Sequence, residues 1–200
     1  MALALSDMEV CDRITPQYLT ANQQVLQNAR VIVADANIPA QTLVYLAENC
    51  TAPIFCDPVS TIKAEKLRPI LNKIHTLKPN RLEAELLSGV PIVEKQDAEK
   101  AAAALLEKGV QRVFISMGAD GVFAADGEKQ LWLPNIPGNM VNTTGCGDAF
   151  MAAIGRAYLE GMNLKETAQA GLAAGSIAME SRETINPAMS ATALKLRMAE

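Results

Sequence analysis

The sequence predicts an α/β protein: a mostly parallel central sheet with helices on both faces. Short apolar runs rich in β-branched residues recur between amphipathic stretches, the alternation expected of parallel strands buried beneath helices. Half of the 200 residues are hydrophobic and only 4% aromatic, which favours close helix–sheet contacts over a β-sandwich built on large rings.

The elements follow in order. Thr15 and Pro16 open a helix, the hydroxyl as cap and the proline ring as a preset first-turn dihedral. A strand at 31–34 is followed by a helix over 39–48, a strand at 53–56 and a turn at Asp57-Pro58, which places Asp57 at a strand's carboxyl end. That carboxylate either faces a ligand site or serves the turn before Pro58. A helical region over 62–71 leads to a strand at 74–77, which stops at Lys78-Pro79-Asn80 and yields to a helix over 81–88. The alanine-rich stretch 97–108 is a helix closed by Gly109, and 112–116 is the next strand. Beyond Gly118 and Gly121 the pattern changes, and 121–125 with 130–133 turns about Asp126-Gly127 as a hairpin. The last third is helical, over 148–161 and 164–181. With no repeat or linker in view, one domain over 1–200 is expected.

Lys and Arg number 18 against 22 Asp and Glu, a net charge of -4 with no basic stripe, so no nucleic-acid partner is expected. No apolar run approaches the ~20 residues that span a bilayer. The first ten residues lack a signal peptide's basic flank, so the reading is no membrane partner and a cytoplasmic location. Cys11, Cys50, Cys56 and Cys146 form no CxxC pair and His75 is the only histidine, which argues for free thiols over a zinc site. His75, inside a strand, reads as a packed ring.

One segment carries chemistry. Residues 141–150 place Gly145, Gly147 and Asp148 at the start of a small-residue helix, where side-chain bulk is absent and free backbone N–H groups can meet an anion. Phosphoryl transfer needs charge neutralised and a hydroxyl proton removed, and Asp148 suits the second task. An aspartate in a first turn also simply complements the helix dipole, and Gly-x-Gly alone is weak evidence for a nucleotide. A GxxxxGK[ST] loop is absent, which excludes a P-loop NTPase.

The run 142–150, NTTGCGDAF, resembles the carboxyl-terminal signature of the PfkB or ribokinase-like carbohydrate and nucleoside kinases. Asn80 to Glu83 resembles that family's NxxE motif, Ser116, Gly118 and Gly121 its nucleotide-contacting strand end, and Asn186-Pro187 the segment completing its adenine pocket. Residues 29–35, 57–60 and 75–85 are worded like the family's pseudouridine kinases, which use ATP to phosphorylate the 5′-hydroxyl of pseudouridine. The resemblance implies a ribokinase-like fold and a small-molecule nucleoside or sugar substrate. It gives Asp148 the catalytic base role and the amides of Gly145, Cys146 and Gly147 an anion hole. It gives ATP contacts to Asn80, Ser116, Gly118, Gly121 and Asn186, and assigns Mg²⁺ to Glu83 and Asn80 through water. Without it, Asn80 and Glu83 read as a capping box.

Two positions depart from the family pattern. Asn142 stands where aspartate is usual, so a K⁺ site at Asn142 and Thr144 is only weakly implied. Cys146 replaces an alanine, putting a thiol at a helix N-terminus, where thiolate formation is expected to be favoured. The resemblance begins partway through the family pattern: 1–10 reads as a lid remnant and 11–200 as the nucleotide-binding and catalytic portion, with the first strands and most of the lid missing. Such a chain is expected to turn over slowly, and its open sheet edge invites self-association as a homodimer. The competing readings are a kinase of another nucleoside or sugar, such as ribose, and a catalytically silent nucleotide-binding or oligomerisation module.

Overall fold

Six strands form one sheet in the order in which the chain makes them. A computed structural model describes residues 7–199. The expected lid remnant thus lies mostly outside the described residues. Helices α1 (Glu9–Asp12), α2 (Pro16–Ala21) and α3 (Gln23–Gln27) precede strand β1 (Ile32–Asp35). Thr15 caps α2 through Tyr18 N–H, with Pro16 in its first turn, as the sequence predicts. Helix α4 (Ala40–Asn49), β2 (Ile54–Asp57) and α5 (Thr61–Ala64) come next. A 3₁₀ helix (Glu65–Lys73) then precedes β3 (Ile74–Leu77), α6 (Arg81–Ser88), α7 (Asp97–Glu107) and β4 (Arg112–Ser116). The hairpin strands are β5 (Val122–Asp126) and β6 (Gln130–Leu133), and helices α8 (Cys146–Leu159), α9 (Leu164–Met179) and α10 (Ala191–Met198) end the fold.

The region expected as one helix over 62–71 is instead a turn of α-helix followed by 3₁₀ helix, because Pro69 lies within it and removes an i→i−4 bond. Strands β1 to β4 are parallel and β5 and β6 antiparallel, so the sheet is mixed. Because the parallel strands are laid down in one direction, right-handed crossovers put their connecting helices on a single face. There Leu43, Leu46, Ile70, Leu87 and Leu105 pack against Ile54, Ile74 and Ile115. The opposite face is covered by α8 and α9, whose Phe150, Ile154 and Leu172 meet Phe55, Phe114 and Val122. Alternate residues of one strand therefore serve two cores. Strand β1 pairs on one side only, among the described residues, and Val33 is 54% exposed on it.

His75 marks a shift of register between β2 and β3: Ile54 faces Ile74, but Phe55 faces Thr76. Its ring stacks on Phe55 at 5.4 Å and meets Tyr158 edge-on at 4.8 Å. Burial, reinforced by the charge of Arg112, lowers its pKa from 6.5 to about 4. The unfolded chain, with an ordinary histidine, therefore binds a proton at higher pH than the folded one. The stability due to neutral His75 is complete above about pH 6.5 and is lost as pH falls through about 4. The midpoint of thermal unfolding is expected to drop across that window, and His75→Phe, which keeps the stack, to flatten the slope.

Candidate active site

The carboxyl ends of the parallel strands and the start of α8 enclose a cleft of about 450 Å³. This is where ligands gather in open α/β sheets, because crossing connections leave a crevice there. From β1 and its exit come Asp35 and Asn37, from β2 Asp57 and Val59, and from β3 Lys78 and Asn80. Helix α6 contributes Glu83, and α8 contributes Gly147 and Asp148. The structure thus brings together five residues singled out in the sequence, Asp57, Asn80, Glu83, Gly147 and Asp148.

Asn80 and Glu83 are also the capping box their spacing suggests. Asn80 Oδ1 accepts from Glu83 N–H at 3.0 Å, and Glu83 Oε2 accepts from Asn80 N–H at 2.8 Å. Burial, with the charge of Asp57 adding to it, pushes the Glu83 carboxyl above the usual range, while the Asn80 N–H pulls the other way. Asp57 serves the turn and also lines the cleft. Its Oδ1 accepts from Val59 N–H at 2.9 Å, serving the turn, and its Oδ2 lies 3.0 Å from Lys78 Nζ. Val59 has φ 66°, and Ser60 N–H reaches Pro58 O at 2.7 Å, a γ-turn with a β-branched residue at its strained centre.

Helix α8 begins at Cys146 with no side-chain cap. Cys146 N–H donates to Thr143 O at 3.3 Å, whereas the N–H groups of Gly147 and Asp148 meet no acceptor among the described residues. The open donors at the helix start are therefore those of Gly145, Gly147 and Asp148 among the described residues, with Cys146 already engaged in its loop. The expected thiolate at Cys146 is a correction: partial burial pushes its thiol up. Asp148 is exposed and lines both the cleft and an apolar cavity of about 530 Å³ between α8, α9 and α10.

The remaining candidates lie around this centre. Ser116 N–H donates to Pro79 O at 2.9 Å, setting the end of β4 beside Asn80. Gly118 and Gly121 both have positive φ, and a Cβ on Gly121 would lie 2.1 Å from Leu133 O, so the hairpin closes only over glycine. Asn186 lines the apolar cavity with Gly145 and Asp148, its amide donating to Ile177 O at 2.6 Å. Asn142 braces its loop, accepting from Thr144 N–H at 3.0 Å and donating to Arg182 O at 3.2 Å.

Lys78, Asp35, Asn37 and Val59 are cleft residues that the sequence reading did not assign to a site. The available signal was position: each follows or ends a strand on the carboxyl side of a parallel sheet. Among the described residues no group of three or more His, Cys, Asp or Glu side chains is placed to hold a metal. The cleft's carboxylates, Asp35, Asp57, Glu83 and Asp148, form no such group, which suits a magnesium ion that keeps most of its waters, ordered by Glu83 and Asn80, rather than one caged by protein.

Gly145 has φ 86°, and a Cβ there would lie 2.2 Å from Thr184 O. Gly145→Ala is expected to cost about 2–4 kcal/mol in urea denaturation.

The sequence profile of the pfkB family carbohydrate kinases matches residues 8–191. Over 193 residues the chain is 42% identical to pseudouridine kinase of Escherichia coli (strain K12), covering 95% of this chain and 61% of that one. Ribokinase from Thermotoga maritima superposes with a TM-score of 0.82 at 24% identity, over 95% of this chain and 63% of that one. A carbohydrate kinase from Agrobacterium tumefaciens gives 0.82 at 26% identity, over 99% and 64%. The chain spans about three fifths of the length of these relatives. The fold is the ribokinase-like α/β sheet, and with its signature residues gathered at one cleft the chain belongs to the pfkB family of carbohydrate kinases.

Proposed function

We propose that this chain carries the ATP-binding and catalytic part of a kinase that phosphorylates the 5′-hydroxyl of pseudouridine. The observation that carries the phosphotransferase reading is the convergence of Asp148 and Gly147, from the start of α8, on Asn80 and Glu83, from the start of α6. The substrate rests on the 42% identity to a pseudouridine kinase.

Asp148, exposed in the cleft and accepting no hydrogen bond from the described residues, takes the proton of the attacking hydroxyl. The N–H groups of Gly147 and Asp148 face the transferring phosphoryl group and stabilise charge on its oxygens, with Gly145 giving the chain its left-handed approach to the helix. Ser116, Gly118, Gly121 and Asn186 form the nucleotide side of the site. Magnesium, when bound, neutralises phosphate charge, and Glu83 with Asn80 orders its waters. The acceptor is a small nucleoside whose hydroxyl is held in line with the phosphoryl group, an orientation that can contribute ~7–11 kcal/mol.

ADP release is to be measured with pseudouridine, uridine, ribose and fructose 6-phosphate, alongside calorimetric ATP binding. Pseudouridine is expected to give the fastest turnover, and Asp148→Asn to lower it by about 10²–10⁴ while ATP still binds. Preference for ribose would replace the substrate, and undiminished turnover by Asp148→Asn would remove the base. ATP binding with no turnover on any acceptor would favour a silent nucleotide-binding module.

A further inference from the structure

Among the described residues two charged side chains are buried, Lys78 at 7% exposure and Glu83 at 2%, and both face the cleft with Gly147 and Asp148. Glu83 is explained by its capping box. Lys78 has no such local explanation. Taking an ammonium out of water is costly, and an ion pair with Asp57 alone returns little of that cost unless further partners complete it.

The geometry around Lys78 identifies the missing partner by charge. An ammonium has three donors, and Asp57 Oδ2, at 3.0 Å, is the acceptor the structure gives it. The backbone at Lys78 is fixed too, its N–H donating to Cys56 O at 3.1 Å. A Cβ on Gly147 would lie 3.6 Å from Lys78 Nζ, so the ammonium stands against the first turn of α8. That turn is the positive end of a fourteen-residue helix and carries the open N–H groups of Gly147 and Asp148. Two positive features facing one space repel each other until an anion lies between them. The other charged groups lining the cleft, Asp35, Asp57, Glu83 and Asp148, are all carboxylates, so Lys78 is its one cationic side chain among the described residues.

We propose that Lys78 is a further catalytic residue, its ammonium held by Asp57 and bonded to the oxygens of the transferring phosphoryl group opposite the N–H groups of Gly147 and Asp148. The inference rests on the phosphotransferase reading above and adds a residue to it. Lys78 exchanges no proton. The bond from the γ-phosphorus to the bridging oxygen breaks, with its electron pair leaving on ADP, and the bond to the acceptor oxygen forms as its proton passes to Asp148. Throughout, the ammonium offsets the phosphoryl charge that the surrounding carboxylates would otherwise oppose.

The test compares ATP with ADP, which differ by the group Lys78 is proposed to hold. Dissociation constants for both, with magnesium, are to be measured by calorimetry on the full chain and on Lys78→Met. Loss of one charge-assisted contact is expected to weaken ATP binding about tenfold or more and ADP binding by less than about threefold. Because Lys78→Met leaves Asp57 without its cation, the double variant Lys78→Met with Asp57→Asn is measured as well. It is expected to recover thermal stability but not the preference for ATP, which a merely structural lysine would not produce. An ATP-to-ADP affinity ratio that Lys78→Met leaves unchanged, in a chain whose wild type binds both nucleotides, overturns the proposal and leaves the kinase reading standing. A wild type that binds neither nucleotide overturns both.

Discussion

The site depends on the register between two parallel strands. Cys56 lies opposite Leu77, and Lys78 N–H donates to Cys56 O, so Asp57 and Lys78 leave the sheet side by side with their charged groups 3.0 Å apart. A slip of one residue would turn every side chain of a strand to the other face and part this pair. The register is held by burial, since Ile54, Cys56, Ile74 and Leu77 all enter the same core. At the irregularity it contains, the His75 ring stacks on Phe55 and meets Tyr158 edge-on. A buried ion pair adds little net stability. The proposed contact with a phosphoryl group would account for burying this pair where stability alone does not.

The second part of the site is delivered from the other face of the sheet. Phe150 of α8 meets Phe114 of β4 at 6.2 Å between ring centres. It also lies over Gly171 of α9, where a Cβ would come within 2.5 Å of the ring. The glycine lets α8 and α9 close around the phenylalanine, and this fixes how far the first turn of α8 reaches over the strand ends. The loop before that turn is tied to the end of α9, with Val141 N–H and Asn142 N–H both donating to Met179 O. Two separately packed faces thus meet at one edge, each bringing half of the cleft.

Much of the architecture was legible in the residues. Thr15-Pro16, Asn80 with Glu83, and Asp126-Gly127 each specify their structure through contacts a few residues away, and each appears as expected. Pro69 is equally visible in the sequence, and the helix it interrupts is 3₁₀. The expectation for Cys146 failed for a different reason. Thiolate formation depends on the balance between the helix terminus and burial, and burial is a property of the packed chain. Lys78 in sequence only ends a strand, because nothing next to it reveals that its ammonium is buried.

The sequence by itself determined the succession of strands and helices, the glycines that admit a left-handed turn, and the family signature around Asp148, because each is set by local backbone preference or by the chemical identity of a few adjacent residues. Only the tertiary structure decided that Asp57, Lys78, Glu83 and Gly147 share one space and which thiols and carboxyls are buried. Those relations come from strand register and from helix packing across the sheet, interactions between residues far apart in the chain that no local pattern encodes.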